Sequence, residues 1–163
     1  MTETLTLDQV KAVLDTFGPV TQLRSNRIQV VTGSERARDA IKAAFGALSC
    51  ERVIQMSAAD TGEVFELTYH LTGLHRMIVS IRVNLLRAEP VVPSVHDLLP
   101  PAGIYERQIH DLFGIVFSGH PNLARIILNE DWPEKEFPLR KDWKPEKGTF
   151  YGGIREEVPG CPR

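Results

Sequence analysis

Val64-Phe-Glu-Leu-Thr-Tyr-His-Leu71, followed by Thr72-Gly73 and then Arg76-Met-Ile-Val-Ser-Ile-Arg-Val83, is the stretch from which the fold follows. Phe65, Leu67, Tyr69 and Leu71 alternate with Glu66, Thr68 and His70, while Met77, Val79, Ile81 and Val83 recur with the same period of two. Successive side chains of a strand point to opposite faces, so each run carries one apolar face and one mixed face. The Thr-Gly step between the runs predicts an antiparallel hairpin with one face buried.

Working outward, Arg52–Ser57 reads as a further strand, joined to the hairpin through the turn Asp60-Thr-Gly62. Near the N-terminus, Thr6 with Gln9 three residues on predicts a capped helix. Its apolar stripe is Leu7, Val10, Val13, Leu14 and Phe17, and Gly18-Pro19 ends it. Val20–Leu23 and Ile28–Val31 predict short strands around a turn at Asn26. Ser34 is expected to cap a second helix that carries Ala37, Ile41, Ala44, Phe45 and Leu48 on one side. The order α-β-β-α-β-β-β predicts an α+β fold, a two-layer sandwich of helices on a mostly antiparallel sheet.

Downstream, prolines 90, 93, 100 and 101 bracket a helical turn at Ser94–Leu99, and Pro101 opens a third helix over Ala102–Phe113 that Gly114 stops. Tyr105, Ile109, Leu112 and Phe113 form its apolar stripe. Six of the eleven prolines and five of the twelve glycines lie beyond Ser118, so little regular structure is expected there apart from a short apolar run at Leu123–Leu128. The expected division is an α+β domain over residues 1–117 and an extended partner-binding segment over 118–163.

Composition narrows the classes of function. With 163 residues, 42% hydrophobic and 25% charged, the chain reads as globular, with one ordinary core. A net charge of -2 gives no case for nucleic acid. There is no apolar run of membrane-spanning length and no signal-peptide pattern, which places the expectation on the cytoplasmic side. The two cysteines, Cys50 and Cys161, are far apart and form no CxxC, so neither an iron–sulfur cluster nor a zinc ribbon is built from this chain alone.

On the third helix, Glu106 and His110 are four residues apart, as are Arg107 and Asp111, and each pair is spaced to meet on a helix surface. Glu106 with His110 therefore reads either as an acid–base pair of a small stand-alone enzyme or as part of an ordinary solvated face. His96, His110 and His120 do not match any compact zinc spacing. No phosphate-binding glycine loop or nucleophile motif is present, and Gly152-Gly153 is too short to serve as one. The final segment holds Trp132, Phe137, Trp143, Phe150 and Tyr151, five of the twelve aromatics. Large aromatics with arginines are the usual anchors of protein–protein interfaces, and the alternative is that the segment folds back on its own sheet. A regulatory binding module with a disordered tail is a third reading.

Glu106-Arg107-Gln108, Asp111-Leu112-Phe113-Gly114-Ile115, Phe117, Gly119-His120-Pro121-Asn122-Leu123, Arg125-Ile126-Ile127-Leu128, Asp131-Trp132 and Pro138-Leu139-Arg140-Lys141-Asp142 together resemble the signature of the 30 kDa subunit of respiratory complex I, the NADH:quinone oxidoreductase. The same family includes the matching small subunit of energy-converting membrane-bound nickel–iron hydrogenases. The resemblance covers roughly residues 60–143. It implies a cofactor-free docking subunit, not catalytic alone, peripheral on the inner face of the cell membrane, that braces a large hydrogenase-like (49 kDa-type) catalytic subunit beside an iron–sulfur small subunit. Iron–sulfur clusters, and quinone or a nickel–iron centre, would then belong to partners. Glu106, Arg107, Asp111, His120, Arg125, Trp132, Arg140, Lys141 and Asp142 are the expected partner-binding residues. Gln108, Ile104, Ala124 and Glu136 depart from common family residues and lean toward a hydrogenase-type or other non-standard complex.

Overall fold

The computed structural model describes residues 5–145, so the expectations placed on Phe150, Tyr151, Gly152-Gly153 and Cys161 lie outside the described residues. The elements run α1 (Leu7–Leu14), β1 (Val20–Arg24), β2 (Arg27–Gly33), α2 (Ser34–Ala47), β3 (Arg52–Asp60), β4 (Val64–Thr72), β5 (Ile78–Leu86), β6 (Val91–Pro93), α3 (Ala102–Phe113) and β7 (Val116–Ser118). This is the α+β sandwich that the alternation predicts, with three helices and a mostly antiparallel five-stranded sheet.

The β4–β5 hairpin sits near the middle of the sheet, whose order is β1-β2-β5-β4-β3. Phe65, Leu67, Tyr69 and Leu71 are all fully buried, as are Val79, Ile81 and Val83. Burying a large apolar side chain contributes roughly 1.5–3 kcal/mol, so this double row is the main reason the register cannot slip by one residue. Val64↔Leu86 through Thr72↔Ile78 pair without interruption. One ladder is parallel, β2 beside β5, because the chain leaves β2 through α2 before it returns to the sheet. A second, two-stranded parallel sheet joins β6 to β7 and closes the region around α3. Neither parallel pairing follows from the sequence pattern.

Helix termini differ from expectation in two places. α1 has the predicted capping box between Thr6 and Gln9 but ends at Leu14, and Phe17 lies in the turn beyond it. α2 is capped by Gly33, with no side-chain hydrogen bond, and Ser34 is its first helical residue. The backbone of residue 33 is extended, which satisfies the cap geometry without a hydroxyl. Residues 123–128 form neither helix nor strand. Residues 119–145 form an irregular strap that returns across α3 and reaches the β3–β4 turn.

Candidate functional site

The strap is the feature in which the unusual residues of this sequence collect. An irregular segment leaves backbone N–H and C=O groups without ladder partners, and these must be satisfied individually. The polar face of α3 does this. Arg107 donates from Nε to Ala124 O and from Nη2 to Arg125 O, both at 3.0 Å. Asp111 Oδ2 accepts three consecutive backbone N–H groups, those of Ile126 (3.2 Å), Ile127 (2.8 Å) and Leu128 (2.8 Å). Burial alone would raise the pKa of Asp111, but the Leu128, Ile127 and Ile126 donors outweigh it and hold the carboxyl below its ordinary value. Arg107 and Asp111 thus each turn to the strap, whereas their spacing predicts a pair with one another.

Arg125 then fixes the next turn. Its Nη1 donates to Asn129 O at 3.1 Å and to Trp132 O at 2.5 Å, and its Nη2 reaches Pro133 O at 3.4 Å. Trp132 and Trp143 stack on each other with ring centroids 5.8 Å apart. Both indole N–H groups go to Glu136, Trp132 to its backbone oxygen and Trp143 to its carboxylate, each at 3.0 Å. The two tryptophans close the strap on itself.

At the far end, Arg140 donates from Nε to Phe113 O at 2.7 Å. Its guanidinium lies over the rings of Phe137 (4.5 Å) and Phe65 (5.2 Å). Gly114 makes this possible. It caps α3 in the left-handed region at φ 72°, and a Cβ there would fall 2.5 Å from the Phe137 ring. Lys141 donates its backbone N–H to Asp60 Oδ2 and its Nζ to Thr61 O, both at 2.9 Å. Asp142 pairs with Arg87 at 2.7 Å, and Arg87 in turn reaches Asp60 at 3.1 Å. Burial works against the Asp60 anion, yet the Lys141 and Gly62 amides and the Arg87 charge hold its carboxyl below its ordinary value. The Arg140-Lys141-Asp142 run is therefore an anchor, but the groups it grips belong to this chain's own α3 C-terminus, β3–β4 turn and the residue after β5.

Asp60 and Arg87 carry no signal of this role in the sequence. Asp60 has a complete local explanation, since its Oδ1 accepts Gly62 N–H at 2.8 Å as a turn aspartate should. Nothing local in the chain links position 60 to position 141.

At the root of the strap, Glu106 is 0% exposed. Its carboxylate accepts the Ser94 hydroxyl at 2.5 Å and Val95 N–H at 2.8 Å, and it lies 3.9 Å from His120 Nε2. Burial raises its pKa, and the Ser94 and Val95 donors oppose that only in part. His110 Nδ1 is bonded instead to Ile115 O at 2.9 Å and lines a cleft of about 280 Å³ beneath the strap, from which Glu106 is absent. The acid–base pairing of Glu106 with His110 is thereby corrected. The two residues are four apart on one helix, but Glu106 points into the 94–99 turn and His110 toward the β7 side.

Elsewhere, Cys50 is buried, its thiol is pushed up to about 12 by burial, and its Sγ lies 3.6 Å from His75 Nε2. Such a thiol is not a nucleophile at neutral pH. Among the described residues no group of three or more His, Cys, Asp or Glu is arranged to hold a metal ion, and no helix is long and apolar enough to cross a membrane. With its polar groups turned inward, the strap holds outward Ile127 at 54% exposure, Leu139 at 51% and Ile126 at 41%.

Comparison with known proteins agrees with this geometry. Residues 30–149 match the family model described as respiratory-chain NADH dehydrogenase, 30 kDa subunit, a span that includes every strap residue discussed above. The C subunit of the NADH-quinone oxidoreductase of Acidothermus cellulolyticus is 38% identical over 103 residues, covering 63% of this chain and 50% of that protein. The C/D subunit of the NADH-quinone oxidoreductase of Methylococcus capsulatus is 39% identical over 93 residues, covering 56% of this chain and 16% of that protein. The chain thus spans half or less of the length of these relatives. Among solved structures, a chain of the membrane-bound sulfane sulfur reductase, an archaeal respiratory membrane complex, superposes with a TM-score of 0.67 at 25% identity, covering 84% of both chains. The chain belongs to the respiratory-chain NADH dehydrogenase 30 kDa subunit family.

Proposed function

We propose that this protein is a docking subunit of a membrane-associated oxidoreductase complex, bracing a large hydrogenase-like catalytic subunit near its electron-transfer path. The observation that carries the reading is the division of labour in the strap. Arg107, Asp111, Arg125, Arg140, Lys141 and Asp142 are spent on holding an irregular segment in one shape, while Ile126, Ile127 and Leu139 are left facing outward. A segment ordered before binding loses less conformational entropy when a partner covers it, so exposed apolar groups on it convert more of their burial into affinity. Three aliphatic side chains on a hydrogen-bonded strap form such a surface.

The partner is the large 49 kDa-type subunit, with an iron–sulfur small subunit beside it. The Methylococcus relative, named for both C and D, supports a large partner that functions next to a C-type region, and the archaeal membrane complex supports assembly at a membrane. In this reading the chain is peripheral on the cytoplasmic face of the membrane. It carries no cofactor of its own, and redox groups reside in its partners. Glu106, His120 and Trp132 act on the partner only through the shape they give the strap. Gln108, Ile104, Ala124 and Glu136, which depart from common family residues, lean toward a hydrogenase-type or other non-standard complex.

The test is purification of the tagged chain from its native membranes under mild detergent, with the co-purifying proteins identified by mass spectrometry. A large hydrogenase-like subunit and an iron–sulfur subunit in fixed ratio to the chain are expected. Recovery of the chain without either would overturn the reading.

A further inference from the structure

We propose that His120 is a proton-operated hinge at the root of the strap, holding it when the imidazole is neutral and releasing it when the ring is charged. The proposal rests on the docking role only for its consequence, since the hinge itself lies within this chain.

The geometry defines which form the ring takes. The backbone N–H of Asn122 donates to His120 Nδ1 at 3.0 Å. A backbone amide can only donate, so Nδ1 must carry a lone pair, and the proton of the neutral ring sits on Nε2. Nε2 in turn donates to Gly103 O at 3.2 Å. The His120 side chain is 4% exposed, while Asn122 stands on the solvent side of the contact and exchanges the ring for water when the acceptor is lost. Gly103 leaves room for the ring, because a Cβ at that position would stand 3.3 Å from Nε2.

The strap hangs from this contact in series. Asn122, fixed by the ring, accepts Ala124 N–H on its side-chain oxygen at 2.9 Å, and Ala124 O accepts Arg107 Nε at 3.0 Å. Protonation of Nδ1 places an N–H against the Asn122 N–H. The acceptor is lost, two donors face each other, and the first link of the series opens.

Charges around the ring set the direction of the movement. Glu106 on α3, 3.9 Å from Nε2, draws a charged ring toward itself and away from Asn122. Asp97 in the 94–99 turn adds negative charge but is held by Arg38 of α2. His96 of the same turn lies with its ring centroid 5.4 Å from that of His120 and repels it once both rings are charged. Tyr69 of β4, buried and under the influence of Glu106, remains neutral. Arg107 on α3 places its positive charge further along the strap, at Ala124 O and Arg125 O. Glu106 is the nearest acidic group to the ring and, where it is ionised, draws the charged ring most strongly, with burial favouring its neutral form and Arg38 of α2 also acting on it.

The experiment uses the purified full chain without any partner, so its outcome is independent of whether docking is correct. Amide exchange at Asn122 and Ala124 is followed by NMR from pH 8 to pH 5, corrected for the intrinsic rate at each pH, alongside the imidazole ¹⁵N signals of His120. Protection at both amides should fall at least tenfold, with the same midpoint as the His120 signals. His120→Asn places an acceptor oxygen near the position of Nδ1 but cannot titrate, and protection in that variant should stay level across the range. Protection that persists in the wild type through the His120 midpoint would overturn the proposal, as would an unchanged pH-dependent loss in His120→Asn. If the substitution prevents folding, the coincidence or separation of the two wild-type midpoints decides the question alone.

Discussion

Replacing Asp111 by alanine should detach the middle of the strap while leaving the domain folded. One carboxylate oxygen accepts three backbone N–H groups, which have no second acceptor among the described residues. A hydrogen bond to a charged group contributes about 1.5–3 kcal/mol, and a buried donor left without a partner costs about 1–3 kcal/mol. The three bonds share one oxygen and the strap is partly exposed, so the sum is far from additive; about 3 kcal/mol in total is expected. At about 1.4 kcal/mol per tenfold, that corresponds to roughly a hundredfold rise in the open population. Hydrogen exchange of the Ile126, Ile127 and Leu128 amides reads this directly, since local opening is measured residue by residue. Asp111→Asn keeps one neutral acceptor and should fall between wild type and alanine. The sign with pH follows from the lowered folded value: the stabilisation is complete above the ordinary carboxylate value, about 3.9, and is lost as pH falls through the lower folded value. Unchanged exchange at these three amides in Asp111→Ala would show that the carboxylate does not hold the strap. An equal loss of protection in β4 and β5 would show that the strap is not a separate unit.

Three other changes follow from the same geometry. Gly114→Ala puts a methyl group 2.5 Å from the Phe137 ring at φ 72° and should lower the unfolding free energy by about 2 kcal/mol or more, measured by urea titration. Glu106 has a raised folded pKa, so its contribution is most favourable below the ordinary glutamate range and diminishes as pH rises through that range to the folded value. The stability of Glu106→Gln relative to wild type should therefore improve between pH 4 and pH 7, and Glu106→Ala should follow the same trend while lying about 3 kcal/mol below Glu106→Gln throughout, through an orphaned Val95 amide and a cavity. Cys50, pushed up to about 12 by burial, should resist maleimide at pH 8 in the native chain and react once urea unfolds it, as read from the mass of its peptide.

The alternation of the β4–β5 hairpin is enough to place the core, because period-two burial on both strands leaves one arrangement that hides Phe65, Leu67, Tyr69 and Leu71. The parallel β2–β5 ladder is not legible, since no local signal at Arg27–Gly33 says which later strand it meets. At the site the pattern is reversed. The charged residues of α3 stand out in the sequence, but i, i+4 spacing suggests partners on the same helix. Arg107 and Asp111 go instead to backbone 15–18 positions downstream, where irregular chain offers unpaired groups. Asp60 and Arg87 are hidden for the complementary reason: Asp60 has an adequate local role in its turn, Arg87 has no local partner to mark it, and their meeting with Lys141 and Asp142 depends on the route of the strap. The two tryptophans read from the sequence as partner contacts, and in the fold they brace each other through Glu136.

If the outward apolar groups of a pre-ordered strap bind a large partner subunit, removing their apolar character should abolish assembly without touching the fold. This is measured most directly in native membranes with the double substitution Ile127→Asp and Leu139→Asp, which alters only exposed side chains. The variant chain should keep the thermal midpoint of the wild type in isolation yet no longer co-purify with the large hydrogenase-like subunit. Undiminished co-purification of that subunit with the variant would mean that the strap is not the docking surface.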